Sequence, residues 1–174
     1  MLHKVKDLQG DSILAEDGEV GSVDDLYFDD EGWDIRYLVV NARRWIPGRK
    51  YLVSPIAIDR DRPLTLGGDI RVELTREQIS KCPVPVNAEN LRSSAEVIGC
   101  GIEALDGTVG RVADLVVDDE TWEITDVLVD SRQWLPGKLL LISPDVIERI
   151  DWPEKTVHLR LAREDILQAP EVQL

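Results

Sequence analysis

Short runs of apolar residues, separated by polar turns, cover most of this 174-residue chain. Residues 70–74 alternate apolar and charged side chains, which is the two-residue period of a strand with one buried face. Residues 37–40 are continuously apolar, which is typical of a short strand covered on both faces. Asp17-Gly18 and Pro47-Gly48 supply tight-turn residues between such runs. The pattern predicts an all-β chain built from hairpins.

A short helix is predicted after the last strand of each half of the chain. Residues 75–78, Thr-Arg-Glu-Gln, match a capping box, in which the Thr and Gln side chains satisfy amides at the start of a helix. Pro83 and Pro85 end this helix after a turn or two. Residues 157–166 align with residues 70–79, so they predict the same strand and the same helix.

One long stretch occurs twice, and it determines the predicted domains. Residues 17–55 align without a gap with residues 106–144, at a constant offset of 89, and 20 of the 39 pairs are identical. A repeat of this kind indicates two copies of one structural unit. We therefore predict domains at residues 1–84 and 96–174. The linker between them, residues 85–95, is rich in proline and small polar residues and shows no strand period.

Each copy has five or six short predicted strands joined by hairpin turns. A small sheet of this kind avoids exposed edges by closing on itself. We expect two tandem small β-barrels, each followed by a short helix. A β-sandwich is the alternative architecture.

The charge of the chain is strongly negative and unevenly distributed. The formal net charge is −14; residues 1–84 carry 12 basic and 16 acidic residues, and the remainder carries 8 and 18. Because such a chain is repelled by phosphate backbones, the composition argues against nucleic-acid binding. The acidity is also sufficient to explain solubility by itself.

Cysteine usage and apolar run length limit the function classes further. Cys82 and Cys100 lie far apart and outside any Cys-x-x-Cys pair, which argues against structural zinc. Two reduced thiols are the expected state, although a disulfide across the linker stays open. No secretory leader and no run of about 18 apolar residues is visible, so we expect a cytoplasmic protein without a membrane span.

Both copies share the order DG-x-V-G-x-V-x-DL, an acidic turn, an apolar strand, a glycine turn and a strand that ends in Ser-Pro. This order resembles the PRC-barrel family. That family includes the cytoplasmic domain of the photosynthetic reaction-centre H subunit and the C-terminal domain of a ribosome-maturation factor. The positions that carry the resemblance are Gly18, Gly21, Asp25, Leu26 and Val40, matched by Gly107, Gly110, Asp114, Leu115 and Val129.

The resemblance implies a scaffold that binds other proteins. It covers both halves of the chain, with two departures. The H subunit has a membrane-spanning helix before its barrel, and no such helix is expected here. The ribosomal factor has a separate RNA-facing domain, where a second barrel is expected here. The family's scaffold role is therefore the expectation, and neither specific role is carried over.

Clustered carboxylates mark one turn of each copy and are the weak candidates for a metal site. Calcium or magnesium would need several oxygens that converge on one point, and no complete cation loop is present. We predict no metal and no cofactor. These candidates are Asp29, Asp30, Glu31, Asp118, Asp119 and Glu120.

No arrangement of catalytic residues is visible, so no catalytic residue is predicted and the protein is not expected to be an enzyme. His158 alternates with apolar residues on a strand and His3 lacks an evident nucleophile partner. Ser54 and Ser143 precede prolines and terminate strands, unlike the strand–turn–helix setting of a nucleophilic serine.

The predicted partner-binding residues lie in the glycine turns. Arg and Trp dominate interface hot spots. The first copy has four basic residues in this turn, and the second copy keeps only two of them, as Arg132 and Lys138. The two that are lost, Arg44 and Lys50, are therefore favoured for function. Two alternatives stay open. The rings of Trp45 and Trp134 can cap their own barrels or pack one barrel on the other, and the basic side chains of the loops can pair with the protein's own carboxylates. The set is Arg43, Arg44, Trp45, Arg49, Lys50 and Trp134.

Two hypotheses about function follow from these residues. The first is a non-catalytic assembly module that binds a protein partner or a second copy of itself, including at a membrane-associated complex. The alternative is a protein that binds a small ligand or a cation through the acidic turns or the groove between the barrels.

Overall fold

The structure is a computed structural model that describes residues 1–62, 64–65, 67–85, 90–131 and 139–172. Short strands dominate it, as the alternating pattern predicts. The strands are β1 (Leu2–Lys4), β2 (Ser12–Ala15), β3 (Gly18–Asp29), β4 (Ile35–Asn41), β5 (Lys50–Val53), β6 (Asp69–Arg71), β7 (Leu91–Ser93), β8 (Gly101–Ala104), β9 (Gly107–Asp118), β10 (Ile124–Asp130), β11 (Leu139–Ile142), β12 (Ile147–Asp151) and β13 (Thr156–Leu159). The helices are α1 (Val5–Leu8), α2 (Arg76–Ser80), α3 (Ser94–Val97) and α4 (Arg163–Ile166).

Two sheets repeat one topology. The first has the order β5-β4-β3-β2-β6 and the second has the order β11-β10-β9-β8-β13-β12. In the second sheet the two ends of this path, β11 and β12, are consecutive in the chain and are joined by the 3-10 turn Pro144–Val146. In the first sheet, Ile58 follows the 3-10 turn Pro55–Ala57 and bridges to Val72, just after β6. Each sheet thus curls into a small barrel, which confirms the predicted all-β architecture.

The long strands β3 and β9 bend around the two cores. The register of β3 against β4 shifts between Val23 and Asp25 and again between Tyr27 and Phe28. Such irregularities increase the local twist and let one strand serve two sides of a barrel. Leu26 and Phe28 of β3 are fully buried, as is Leu115 of β9. Each core is therefore lined along its length by one long, bent strand whose alternate side chains are buried.

The predicted turn and capping signals are confirmed. The Thr75 side chain accepts a hydrogen bond from the Gln78 amide (3.2 Å), and the Gln78 side chain accepts one from the Thr75 amide (2.9 Å). The Arg76 amide then donates to the Asp17 carboxylate (2.9 Å), which ties α2 to the first hairpin turn. The Arg163 amide makes the same bond to Asp106 (2.8 Å) in the second half.

The Ser-Pro strand ends are 3-10 turns capped by the serine side chains. Ser54 accepts a hydrogen bond from the Ile56 amide (3.3 Å), and Ser143 accepts one from the Asp145 amide (3.2 Å). In the first half Ile56 lies inside this turn, and its side chain is 80% exposed. Proline at the first helical position favours this turn because its fixed φ suits a helical start.

The predicted linker is only partly a connection. Residues 91–93 form β7 and residues 94–97 form α3, although the sequence shows no strand period there. β7 pairs with β3 of the first sheet rather than with its own half. Reciprocally, β1 at the start of the chain pairs with β9 of the second sheet. The two halves therefore exchange their entering strands, a feature that the local pattern of a three-residue strand is too short to reveal.

Candidate functional site

The basic loop, residues 43–50, is a compact turn between β4 and β5. The amides of Trp45 and Ile46 both donate to the Ala42 carbonyl, at 2.9 and 2.8 Å. The half-buried Trp45 ring packs against the core of its own barrel and lies 6.5 Å from the Tyr51 ring, centroid to centroid. The ring is thus held by its own barrel, which is one of the two alternatives that the sequence left open.

Two of the four cations in the basic loop are paired with carboxylates of the same barrel. Arg44 Nε lies 3.9 Å from Glu19 Oε1, and Lys50 Nζ lies 2.5 Å from Asp24 Oδ2. The Asp24 hydrogen bond raises the pKa of Lys50. All four side chains are substantially exposed, and exposed ion pairs contribute little to stability. These are the two residues that the sequence favoured for partner binding, and their charges are locally balanced.

The other two cations of the loop face solvent. The side chains of Arg43 and Arg49 are exposed, and no ion pair to either is present within the described part of the chain. They flank the Trp45 turn at its two ends. Trp134, with Arg132 and Lys138, lies outside the described residues.

The acidic turns are occupied by internal hydrogen bonds. Asp29 accepts from the Glu31 amide (2.8 Å) and from Arg36 (3.2 Å). The backbone amide of Glu31 is the first cause of the lowered pKa of Asp29. Asp118 accepts from the Glu120 amide (2.8 Å) in the equivalent turn. These carboxylates close their own turns, as Asp does at the first position of such loops.

The neighbouring carboxylates reach across to the other half of the molecule. Asp30 pairs with Arg92 of β7 (3.3 Å), and Asp119 pairs with His3 of β1 (2.8 Å). The guanidinium of Arg92 also lies 4.4 Å from the centroid of the Trp152 ring. Burial opposes the ionised form of Asp119, but the His3 hydrogen bond and the terminal ammonium leave its pKa lowered. Each acidic turn is thus one side of a contact between the halves.

No cluster of three or more His, Cys, Asp or Glu side chains suited to a metal ion occurs among the described residues. Glu31 and Glu120 are exposed at the ends of the acidic turns. Their four neighbouring carboxylates already have amide or cationic partners. The absence of a metal site stays a prediction, which is tested below.

Trp33 and Trp122 lie at the junction of the halves. The Trp33 ring stacks on Phe28 of its own barrel at 5.0 Å, centroid to centroid, and Trp122 is buried in the core. Both have left-handed backbones, with φ of 58° and 57°, a conformation that is rare for bulky residues. The Trp33 carbonyl accepts a hydrogen bond from the Ile124 amide (2.8 Å), and the Trp122 carbonyl accepts one from the Ile35 amide (2.7 Å). The strained turns therefore direct carbonyls towards the opposite half.

Two clefts of about 540 Å³ each flank this junction at equivalent positions. Each lies between the acidic turn of one half and the segment after the 3-10 turn of the other. The first cleft is lined by Asp30, Glu31, Trp33, Ile147, Arg149 and Trp152. The second is lined by Asp119, Glu120, Trp122, Ile58, Arg60 and Leu64. The groove between barrels that the sequence suggested thus exists twice, with mixed charge and one tryptophan at the same place in each.

The two cysteines are free thiols. Burial raises the pKa of both Cys82 and Cys100, and a protonated thiol is a poor nucleophile. Their sulfurs donate to the Gln78 carbonyl (3.6 Å) and the Glu96 carbonyl (3.2 Å). They are therefore structural side chains within their own halves.

The contact residues of the exchanged strands were missed by the sequence reasoning. His3 and Arg92 occupy equivalent positions at the 89-residue offset, as do Leu2 and Leu91. That correspondence was the available signal that residues 91–93 belong to the repeated unit. None of the described helices is long and apolar enough to cross a membrane.

Comparison with known proteins agrees with the geometry. No curated protein matches the chain at a significant level. The family model of the PRC-barrel domain matches residues 2–75. That segment runs from β1 to the cap of α2 and so contains every strand of the first barrel except the exchanged β7. By this match residues 2–75 of the chain are a PRC-barrel domain.

Proposed function

We propose that the chain is a non-catalytic interaction module in which two PRC-type barrels form one rigid platform and the basic loop binds an acidic protein partner. The second half, residues 96–172, repeats the strand order of the first, which supports a second PRC-type barrel. The proposed role is similar to that of the cytoplasmic domain of the reaction-centre H subunit. We propose that the protein acts in the cytoplasm, including at the surface of a membrane complex.

The observation that carries this proposal is the exposure of Arg43 and Arg49 on a protein of net charge −14. Two exposed guanidinium groups beside a tryptophan held in place by its barrel form a local positive patch. Arginine binds carboxylates through paired hydrogen bonds. Charge complementarity of this kind chiefly sets partner choice and association rate. The patch therefore fits an acidic surface or segment of another protein.

Removal of these two charges is expected to weaken partner capture. In Arg43→Gln with Arg49→Gln, we expect roughly three- to tenfold less partner bound to the immobilised protein at low salt, because each exposed contact contributes up to about 1 kcal/mol. The difference should shrink as salt is raised, since exposed charges are screened over about 10 Å at 0.1 M ionic strength. Quantitative mass spectrometry of the captured proteins measures it.

The matched control is Arg44→Gln with Lys50→Leu, which installs the residues of the second copy. It also removes two charges, but their carboxylate partners Glu19 and Asp24 already balance them. We expect the smaller loss from this pair. Equal capture by the wild-type protein and the Arg43/Arg49 variant at low salt would rule out the basic loop as the binding surface.

The two clefts favour the second candidate function, binding of a small ligand between the barrels. Each has the volume of a small-molecule site and combines tryptophan with an arginine, Trp33 with Arg149 and Trp122 with Arg60. The carboxylates beside them are already engaged by Arg92 and His3, so the cleft chemistry suits an organic ligand better than a bare cation.

Millimolar calcium or magnesium is expected to leave the melting temperature unchanged. A ligand that binds only the folded state raises stability by mass action, but Asp29, Asp30, Asp118 and Asp119 already have partners. Differential scanning fluorimetry with and without chelator measures this. A rise of several degrees that disappears in Asp29→Asn with Asp30→Asn would establish a cation site and contradict the prediction.

A further inference from the structure

The strands that enter the two halves are exchanged with matching geometry. β1 pairs with β9 through Leu2 opposite Asp118, His3 opposite Val117 and Lys4 opposite Val116. β7 pairs with β3 through Leu91 opposite Asp29, Arg92 opposite Phe28 and Ser93 opposite Tyr27. Every position in one ladder has its counterpart in the other at the 89-residue offset. We call these two ladders, with α1, α3 and the junction of the halves, the exchange surface.

The backbone contacts at the junction are also reciprocal. Asp34 and Glu123 form a bridge with each other, and these residues are themselves equivalent at the offset. The Ile35 amide donates to Trp122 and the Ile124 amide donates to Trp33. An interface in which residue i contacts j and j contacts i is the signature of a two-fold, self-complementary association.

A half-buried carboxylate on β3 and a buried one on β9 hold the exchanged helices. Asp25 accepts hydrogen bonds from the hydroxyls of Ser93 and Ser94 at the start of α3, and the Ser94 side chain is fully buried. Asp114, which is 3% exposed, accepts from the Lys6 amide of α1 at 3.3 and 3.4 Å. The two aspartates are equivalent positions, so each half presents a carboxylate at the same place to the entering segment of the other; the donors are serine hydroxyls in one case and a backbone amide in the other.

We propose that the exchange surface is a repeat-to-repeat binding surface that also accepts a repeat from a second copy of this chain, so that two chains can trade halves. The covalent link through residues 85–90 selects the pairing within one chain by raising the local concentration of the partner repeat. None of these contacts distinguishes a repeat of the same chain from the same repeat of a second copy. This inference is independent of the basic loop and of its partner.

The charges on the surface are compatible with other pairings as well. If two first repeats met, Asp30 would face His3; if two second repeats met, Asp119 would face Arg92. Both combinations place a hydrogen-bond donor or a cation opposite a carboxylate, as the observed Asp30–Arg92 and Asp119–His3 pairs do. Like-charge contacts, which would enforce a single pairing, are absent from these four described positions.

The test uses the folded full-length chain with a specific protease site introduced within residues 86–89 and an affinity tag at the C-terminus. After cleavage, the two halves are expected to elute together as a 1:1 complex. Cut, tagged protein is then mixed with an equal amount of cut, untagged, ¹⁵N-labelled protein and warmed below the melting temperature. Mass spectrometry of the tag-bound material should find about half of the first repeats ¹⁵N-labelled at equilibrium.

Separation of the halves on cleavage, with the tag recovering the second repeat alone, would overturn the proposal. A complex that stays together through warming but never takes up labelled first repeat would overturn the trading of halves. The uncut protein mixed in the same way should show no label, which controls for aggregation.

A variant tests whether the exchange surface itself holds the halves. Ser93→Ala with Ser94→Ala removes both hydroxyl donors of the half-buried Asp25, which keeps only the Leu26 amide as a donor (2.7 Å). The loss of hydrogen bonds to a charged group in such a site is costly. We expect label exchange to become at least about tenfold faster. The matched serine control is Ser80→Ala, whose hydroxyl donates only to the Glu77 carbonyl within α2 (2.5 Å). Equal exchange rates in both variants would exclude the surface as the site of association.

Discussion

Gly21→Ala is expected to destabilise the first barrel by about 3–5 kcal/mol, a loss at the high end for single substitutions. A Cβ at this position would overlap the carbonyl oxygen of Asn41 and approach the backbone of Ala42. Both neighbours are main-chain atoms at the end of β4, and no side-chain rotation can relieve the overlap. Urea denaturation followed by circular dichroism measures the free energy of unfolding.

Gly110 is in the same position in the second barrel, where a Cβ would overlap the Asp130 carbonyl. The equivalent loss is therefore expected from Gly110→Ala. The control is Gly101→Ala, also in a strand, where the nearest atom to the new Cβ is the Lys155 carbonyl at 3.9 Å. That substitution should leave stability unchanged or raise it by up to about 1 kcal/mol, because alanine lowers the entropy of the unfolded chain. A Gly21 variant as stable as the Gly101 variant would show that β4 can move aside.

Asp11→Asn is expected to stabilise the protein by about 1–2 kcal/mol at pH 7. The Asp11 side chain is 8% exposed, and its carboxylate has no hydrogen bond or ion pair in the described part of the chain. Burial raises its pKa from 3.8 to about 6; Asp7 and Asp69 act in the same direction, and His3 opposes them. At about 1.4 kcal/mol per pKa unit, this shift sets an upper limit of about 3 kcal/mol on the cost of ionising Asp11 in the folded protein. Because the carboxylate oxygens keep contact with solvent, the cost is smaller than this limit.

The pH dependence of this effect has a definite sign. Because the folded pKa lies above the unfolded one, the unfolded chain releases the proton first as pH rises from about 4 to about 6. The wild-type protein therefore loses the contribution of this group across that window, and the loss is constant above it. The advantage of Asp11→Asn should be near zero at pH 4 and complete by pH 7.

Urea denaturation of the two proteins at pH 4, 5, 6 and 7 measures this difference. Asp69→Asn is the control, since Asp69 is an exposed neighbour and its removal should change stability by less than about 0.5 kcal/mol. The second repeat has Cys100, 2% exposed, at the equivalent position, which shows that the fold does not need a carboxylate there. An advantage that stayed flat from pH 4 to pH 7 would contradict a titrating Asp11.

The sequence by itself determined the fold class, the internal repeat and the local signals. Alternation at residues 70–74 predicted a strand with one buried face, and Thr75 with Gln78 predicted the helix start, because both depend on neighbours within a few residues. The glycine at position 21 was visible as part of the repeated motif. The family resemblance followed from the same motif, and for the first half of the chain it is confirmed by the match over residues 2–75.

The tertiary structure alone decided how the two halves join and which charges stay free. A three-residue strand such as β7 carries too little pattern to be recognised, and its partner β3 lies more than 60 residues away in the chain. Arg44 is paired because Glu19, on a different strand, comes to lie beside it, whereas Arg43 has no such neighbour in the described part of the chain and is exposed. The role of Trp33 at the junction likewise arises from the hydrogen bond that its carbonyl accepts from the Ile124 amide. Contacts of this kind are set by the packing of distant segments, and a local sequence pattern does not encode them.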